Sequence, residues 1–316
     1  MRLAGLLAAL VCSTGLAQSF PNRPVHIVIG FPPGGGIDTV ARLLAPKMSE
    51  SMGQPVVVDN RPGGGGVLGT DVVAKSAPDG HTLFFGTMGN LAVNPGFLPN
   101  LPFNAERDLA PVTQVVSTSF LLYLNPDVPA KTVSELIAYA KASPGKLNFC
   151  SSGNGGAPHL AAELFNAMAG VDMVHVPYKG SAPCISDLIG GQVQLTYEAV
   201  TIGLPHVQAR KLRAIATTAA KRLPMANDLP AIAETLPGYE VDNWYGMVVP
   251  AATPRTAVAR LRDEVVKAMA GGDMRERLVA LGQVPVGSTP EAFGAFMKSE
   301  SAKWLKVIRE ANIKPG

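Results

Sequence analysis

Two glycine-rich loops, each preceded by a strand-like run and followed by a helical pattern, constrain the fold of this chain most strongly. Residues 31–36 follow the β-branched run 25–29, and residues 151–156 follow the apolar run 147–150. The order of strand, loop, helix and strand recurs along the chain. It indicates an α/β protein in which crossover helices join parallel strands.

The alternation forms two series, which predicts two lobes. The long β-prone segment 112–124 could carry the chain out of the first series, and residues 243–246 mark its return. We therefore expect a first lobe from residues 18–121 and 242–316, a second lobe from residues 122–241, and a ligand cleft between them. The same periodicity would also fit one large doubly wound sheet.

The N-terminus has the pattern of a secretory signal peptide. Arg2 precedes an apolar run, residues 3–11, that is too short to cross a bilayer, and Gly15 and Ala17 are the small residues of a cleavage site. We expect cleavage after Ala17 and a soluble mature protein in the periplasm. Cys12 does not follow the small residue that a lipid-anchored cysteine normally requires.

Charge and cysteine content narrow the function further. Without residues 1–17 the chain keeps 26 of 27 Lys and Arg and all 24 Asp and Glu, so its net charge is 26 − 24 = +2. That balance is too weak to indicate nucleic-acid binding. Cys150 and Cys184 then remain in an oxidising compartment, where a disulfide and two buried free thiols are both compatible with the sequence.

Both glycine loops have the chemistry of an anion site. Glycines let main-chain N–H groups approach a ligand, and a helix N-terminus adds unpaired donors and a partial positive charge. Neither 31–37 nor 151–158 contains Lys or Arg, so an anion would be held by neutral donors such as Ser151, Ser152 and Asn154. Asp38 could cap its helix or accept from a ligand. A plain polar turn remains the alternative for each loop.

Other motifs give weaker indications. Residues 64–69 match G-x-G-x-x-G, but no acid follows on the next strand to hold a ribose, so no dinucleotide cofactor is expected. His159 and Glu163 have a metal-like spacing without a third ligand, and we expect no metal. No G-x-S-x-G nucleophile motif is present. The remaining enzyme hypothesis is a secreted hydrolase that uses Ser151 or Ser152 with His159.

A series of longer motifs covers essentially the whole mature chain. They are residues 23–25, 30–35, 38, 41–42, 54–63, 77–80, 101–103, 143–147, 159–164, 175–180 and 244–246. In this order the motifs resemble the Bug family, the extracytoplasmic solute-binding receptors of tripartite tricarboxylate transporters.

The resemblance implies a two-lobed periplasmic binding protein, a type II-like Venus flytrap with mixed, mostly parallel sheets. It implies a receptor, not an enzyme, that binds a small carboxylate-bearing anion: a dicarboxylate or tricarboxylate, an amino acid or an aromatic acid. The implied partners are membrane transporter subunits, and we expect a monomer without a cofactor. Cys150 and Cys184 depart from the family pattern, and Glu198 lies at a position where members of the family vary. The ligand-binding residues expected are Phe31, Pro33, Gly34, Gly35, Gly36, Asp38, Thr87, Ser151, Ser152, Asn154, Gly155, His159, Tyr178 and Glu198.

Overall fold

The structure, a computed structural model, describes residues 20–223, 226–310 and 313–314. The expected signal peptide and its cleavage site lie outside the described residues. Ten strands are present in this part of the chain: β1 Val25–Ile29, β2 Val56–Asn60, β3 Thr82–Thr87, β4 Leu109–Leu124, β5 Asn148–Ser151, β6 Val174–Pro177, β7 Leu195–Ala199, β8 Arg213–Thr217, β9 Asp242–Pro250 and β10 Gln283–Pro285.

Helices alternate with these strands. They are α1 Gly36–Met52, α2 Val67–Ala74, α3 Asn94–Phe97, α4 Ala105–Asp108, α5 Val133–Ala142, α6 Ala157–Ala169, α7 Ser181–Ile189, α8 Val200–Gln208, α9 Arg255–Ala270, α10 Met274–Ala280 and α11 Pro290–Glu310. Among the described residues, no helix combines the length and apolar character that a membrane crossing requires.

One long strand connects two parts of the sheet. The strand order is β2-β1-β3-β9-β4-β7-β5-β6, and β8 and β10 also pair with β4. Residues 109–119 of β4 pair with β9 and β10, whereas residues 120–124 pair with β7 and β8. We call β1, β2, β3, β9 and β10 the first half-sheet and β5–β8 the second half-sheet. Strand β4 belongs to both.

The sheet is mixed, as expected, but it is not mostly parallel. Among the described strands the parallel pairs are β1–β2, β1–β3, β5–β6 and β5–β7, and the five remaining pairs are antiparallel. The physical reason is that β4 and β9 run against their neighbours, so every pairing of these two connecting strands is antiparallel.

The core is largely continuous between the half-sheets. One cluster of buried side chains includes Phe84 and Trp244 of the first half-sheet together with Phe149 and Tyr197 of the second. A second cluster packs α1 and α9 on the first half-sheet, and a third surrounds Cys150 and Cys184 in the second.

Cys150 and Cys184 form a disulfide that joins the end of β5 to α7, with their Cα atoms 5.6 Å apart. Both residues are completely buried. The bridge closes a loop across 34 residues. In the chain-entropy model a loop of that length stabilises the folded state by about 4 kcal/mol.

Reduction of this bridge is therefore expected to lower the free energy of unfolding by about 4 kcal/mol. Urea unfolding with and without a reductant measures the difference. A Cys150→Ala, Cys184→Ala double variant is the control, because its stability should not respond to the reductant. Two thiols titrating in the denatured, non-reduced protein would contradict the bridge.

Candidate functional site

A pocket lies where the two half-sheets meet. Its walls come from the loop after β1, the loops after β5 and β6, the end of β7, and the strands β4 and β9 that connect the half-sheets. Ligands of open α/β sheets commonly bind outside the carboxyl ends of strands, and this pocket lies at such a position. The lining residues are Phe31, Pro32, Pro33, Gly35, Gly36, Ile37, Thr87, Phe120, Ser152, Gly156, Ala157, Pro158, Gly180, Ser181, Ala182, Pro183, Glu198, Ala199, Asn243 and Tyr245.

Four helices begin at this pocket. The residues that precede their first turns are Gly35 for α1, Gly156 for α6, Gly180 for α7 and Ala199 for α8, and all four line the pocket. None of them caps its helix with a side chain. First-turn N–H groups have no partner within their own helix, so these ends offer hydrogen-bond donors and partial positive charge to an anion.

Loops from the two half-sheets touch each other beside the pocket. A Cβ atom on Gly180 would lie 3.1 Å from Cδ of Pro32, and one on Gly65 would lie 3.0 Å from the carbonyl oxygen of Asn154. Glycine at these two places permits the close approach, because it has no Cβ atom. Both residues also have positive φ angles, 129° and 62°, which favour glycine. The pocket is therefore covered by residues from both half-sheets.

Half of the residues expected from sequence line the pocket. They are Phe31, Pro33, Gly35, Gly36, Thr87, Ser152 and Glu198. The other seven lie in or behind the loops and support them: Gly34, Asp38, Ser151, Asn154, Gly155, His159 and Tyr178.

Asp38 is occupied by the protein itself. Its carboxylate accepts from the Gly34 amide at 3.0 Å, from Nε of Arg42 at 2.9 Å and from Nδ2 of Asn60 at 3.0 Å. Burial raises the pKa of Asp38, but these hydrogen bonds outweigh it and hold the pKa below its ordinary value. Asp38 thus fixes the conformation of the first glycine loop and does not line the pocket.

Ser151 and His159 do not form a nucleophile and base pair. The Ser151 hydroxyl, which is fully buried, lies 2.6 Å from Nε2 of His175, and Nδ1 of His159 accepts from the Gly155 amide at 3.1 Å. The two imidazole rings stack with centroids 3.9 Å apart. Burial, with a smaller contribution from His159, lowers the pKa of His175 to about 3. These side chains support the second glycine loop from behind.

The remaining loop residues are also held by neighbours. The Tyr178 hydroxyl donates to Asp187 at 2.5 Å, which raises the pKa of Tyr178 to about 12. Gly155 has a φ of 70°, in the left-handed region that favours glycine. The backbone carbonyl of Asn154 lies close to Gly65, in the loop that follows β2.

Glu198 is the charged residue of the pocket lining. It ends β7 next to α8 and is 3% exposed. Oε2 accepts from the Ala199 amide at 3.2 Å, whereas Oε1 has no hydrogen-bond partner among the described residues. Burial raises the pKa of Glu198 to about 7, although the Ser181 hydroxyl and the Ala199 amide oppose the rise.

Sequence reasoning missed several lining residues. Asn243 and Tyr245 lie two residues apart on β9 and therefore face the same side of the sheet. Ser181, Ala182 and Pro183 begin α7 directly after Gly180, so this segment repeats the strand, glycine and helix signal of the two loops that were found. That repeated signal could have identified the third loop.

Within residues 20–223, 226–310 and 313–314 no three His, Cys, Asp or Glu side chains are placed to hold a metal ion. The lining contains neither Lys nor Arg. The chemistry of the pocket is thus that of main-chain and side-chain hydrogen-bond donors, apolar walls and one buried carboxyl group.

The fold is that of periplasmic binding proteins. The chain is similar to an R. palustris protein solved with adipate, at 36% identity and a TM-score of 0.91, covering 94% of this chain and 100% of that one. It is similar to the periplasmic binding protein BugD, at 32% identity and a TM-score of 0.88, covering 93% of this chain and 99% of that one. It is also similar to MatC from Rhodopseudomonas palustris with bound malate, at 33% identity and a TM-score of 0.87, covering 92% of this chain and 100% of that one.

Sequence comparison identifies the family. Residues 40–313 match the model of the tripartite tricarboxylate transporter family receptor. The chain is 42% identical to a UPF0065 protein encoded in the tcbD–tcbE intergenic region of a Pseudomonas species, over 98% of this chain and 94% of the relative. It is 35% identical to BugT of Bordetella pertussis, over 99% and 98%. The chain belongs to the tripartite tricarboxylate transporter receptor family, as the resemblance to Bug proteins implied.

Proposed function

We propose that this protein is a periplasmic receptor that binds a small carboxylate-bearing anion and delivers it to the membrane subunits of a tripartite transporter. The observation that carries the proposal is the convergence of four helix N-termini, without side-chain caps, on one pocket that lacks Lys and Arg. Such a pocket offers neutral donors to a carboxylate from both half-sheets at once.

Neutral donors are sufficient in magnitude. A helix N-terminus contributes about 0.3–1 kcal/mol toward an exposed anion and up to ~2 kcal/mol toward a partly buried one. Hydrogen bonds to a charged group add about 1.5–3 kcal/mol each. A few such contacts give micromolar affinity, which corresponds to about 8 kcal/mol. Donors from both half-sheets would also make the bound anion a bridge that favours the closed arrangement.

The relatives support a carboxylate ligand. Two of the similar structures were solved with adipate and with malate, and both of those ligands are small organic dicarboxylates. The transporter partnership rests on the family, whose members are receptors of tripartite tricarboxylate transporters.

A hydrolase is the less favoured alternative. Ser151 is completely buried and bonded to His175, and the lining residue Ser152 has no hydrogen bond to a histidine within the described residues. An activated serine needs its base within hydrogen-bond reach, which Ser152 lacks.

Small molecules released from the purified protein test the proposal. Mass spectrometry should detect an organic acid, and the same acid added back should raise the melting temperature and be recovered unchanged. Conversion of that acid into a product would support the hydrolase instead. Absence of any melting shift with every acid tested would contradict the receptor function.

Ser152→Ala is expected to weaken binding of the anion about tenfold, because it removes one hydroxyl donor from the second glycine loop. Calorimetric titration of the released acid measures the change. Ser299→Ala is the matched control, since Ser299 is exposed on α11 and its hydroxyl donates to the Phe296 carbonyl. Equal affinities for the two variants would exclude Ser152 from the site.

If the protein is exported, its mature form should have a defined N-terminus. N-terminal sequencing of the protein recovered from the periplasm is expected to begin at Gln18, because Gly15 and Ala17 form the small-residue cleavage signal. The same sequencing of an Ala17→Arg variant should give the uncleaved precursor. Mature wild-type protein that begins at Met1 would contradict the signal peptide.

A further inference from the structure

Glu198 places an unsatisfied acceptor inside a pocket whose helix N-termini offer donors. The side chain is 3% exposed, lines the pocket and leaves Oε1 without a partner. Buried polar atoms are normally hydrogen-bonded, so an exception at a ligand pocket calls for a partner on the ligand. This observation is independent of the helix N-termini on which the proposed function rests.

A second acceptor lies in the same lining. Oδ1 of Asn243 is buried and has no hydrogen-bond partner among the described residues. The lining contains neither Lys nor Arg that could neutralise the Glu198 carboxylate. A cation on the ligand would supply both the missing hydrogen bonds and the missing charge.

We propose that Glu198 selects ligands that carry an ammonium group together with a carboxylate, so that the ligand is a small zwitterion of the amino-acid type. The carboxylate takes the donors at the helix N-termini, and the ammonium group donates to Oε1 of Glu198. The inference rests on the proposed function and narrows its ligand class.

A plain dicarboxylate meets Glu198 in a different way. Its second carboxylate would lie against the buried Glu198 carboxyl, and two carboxylates that share a site retain a proton between them. Plain acids therefore require protonated Glu198, whereas zwitterions require the ionised form. The two ligand types should respond to pH in opposite directions.

Several other titratable groups lie on the elements that surround the pocket. Burial raises the pKa of Tyr123 on β4 and of Tyr245 on β9 above the ordinary value, and the charge of Glu198 adds a smaller increase. Asp187 of α7 accepts a hydrogen bond from the Tyr178 hydroxyl, and Asp38 of α1 accepts one from Nε of Arg42. Two further groups are His159 of α6, which accepts from the Gly155 amide, and His206, in the last turn of α8.

Matched probe pairs test the inference by calorimetry. Each pair shares one carbon skeleton with and without the amino group: aspartate and succinate, glutamate and glutarate, 4-aminobutyrate and butyrate. At pH 8 we expect the wild-type protein to bind at least one amino acid at least tenfold more tightly than its partner acid. Glu198→Gln should remove that preference, while Glu264→Gln, a buried glutamate of α9 outside the pocket lining, should keep it.

The pH dependence gives a second readout on the wild-type protein alone. With a Glu198 pKa of about 7, the ionised fraction rises about tenfold between pH 6 and pH 8, and the affinity for the amino acid should rise with it. A plain acid that binds more tightly than its amino partner, and loses affinity as pH rises, would overturn the inference but leave the receptor function intact. Binding of none of the six probes would also overturn the inference, whereas the receptor function would still be decided by the acid released from the purified protein.

Discussion

Replacing Gly35 with valine is expected to abolish anion binding while leaving the protein folded. Gly35 lines the pocket directly before α1, and a Cβ atom there would meet no other heavy atom within 4 Å. Its φ of −80° and ψ of 167° are in the β region, which valine adopts readily. The isopropyl group would therefore occupy the space that the ligand needs, without straining the backbone.

The expected loss is large, because the added side chain both fills the pocket and keeps a ligand from the first-turn N–H groups of α1. We expect at least a hundredfold loss of affinity in calorimetric titration, which corresponds to about 3 kcal/mol. Gly271→Val is the matched control, since Gly271 follows α9 outside the pocket lining with φ −76° and ψ 126° and has ordinary contacts. Wild-type affinity in the Gly35→Val variant would exclude this loop from the site.

Replacing Glu198 with glutamine is expected to stabilise the ligand-free protein at pH 8 by about 3 kcal/mol. Burial raises the pKa of Glu198 from its ordinary 4.5 to about 7. The folded state therefore binds more protons than the unfolded state between these values, and the stability of the wild-type protein falls as pH rises from 4.5 to 7. A difference of about 2.5 units corresponds to roughly 3 kcal/mol.

The gain should depend on pH. Below pH 4 the carboxyl group is protonated in both states, so the variant and the wild-type protein should unfold with nearly equal free energies in urea. Glu163→Gln serves as the control because Glu163 lies on α6, is only partly buried and does not line the pocket. A variant that is less stable than wild type at pH 8 would show that the Glu198 carboxylate is not destabilised by burial.

Local sequence signals predicted the regular elements well. The strand-like run 25–29 has the bounds of β1, and the run 147–150 differs by one residue at each end from β5. The first part of β4 and all of β10 were not predicted, because both depend on pairing with distant parts of the chain. Gln283 of β10 pairs with Thr118 of β4, and Leu109, the first residue of β4, pairs with Pro250 of β9.

For the site, too, features set by adjacent residues were predicted, and features set by distant parts of the chain were not. The first two glycine loops were found because glycine, strand end and helix start are adjacent in sequence. Asp38 and His159 were assigned to the ligand because side-chain type alone does not reveal that Gly34 and Gly155 take up their acceptor atoms. Asn243 and Tyr245 became visible only through the register of β9 against β4.

Strand β4 also determines how the protein can unfold. It supplies the hydrogen-bonding edge for β9 and β10 on one part of its length and for β7 and β8 on the other. Removing β4 from either half-sheet would expose unpaired backbone groups and part of the core cluster that runs through both. We therefore expect the two halves to unfold together, and neither half to be stable as an excised fragment.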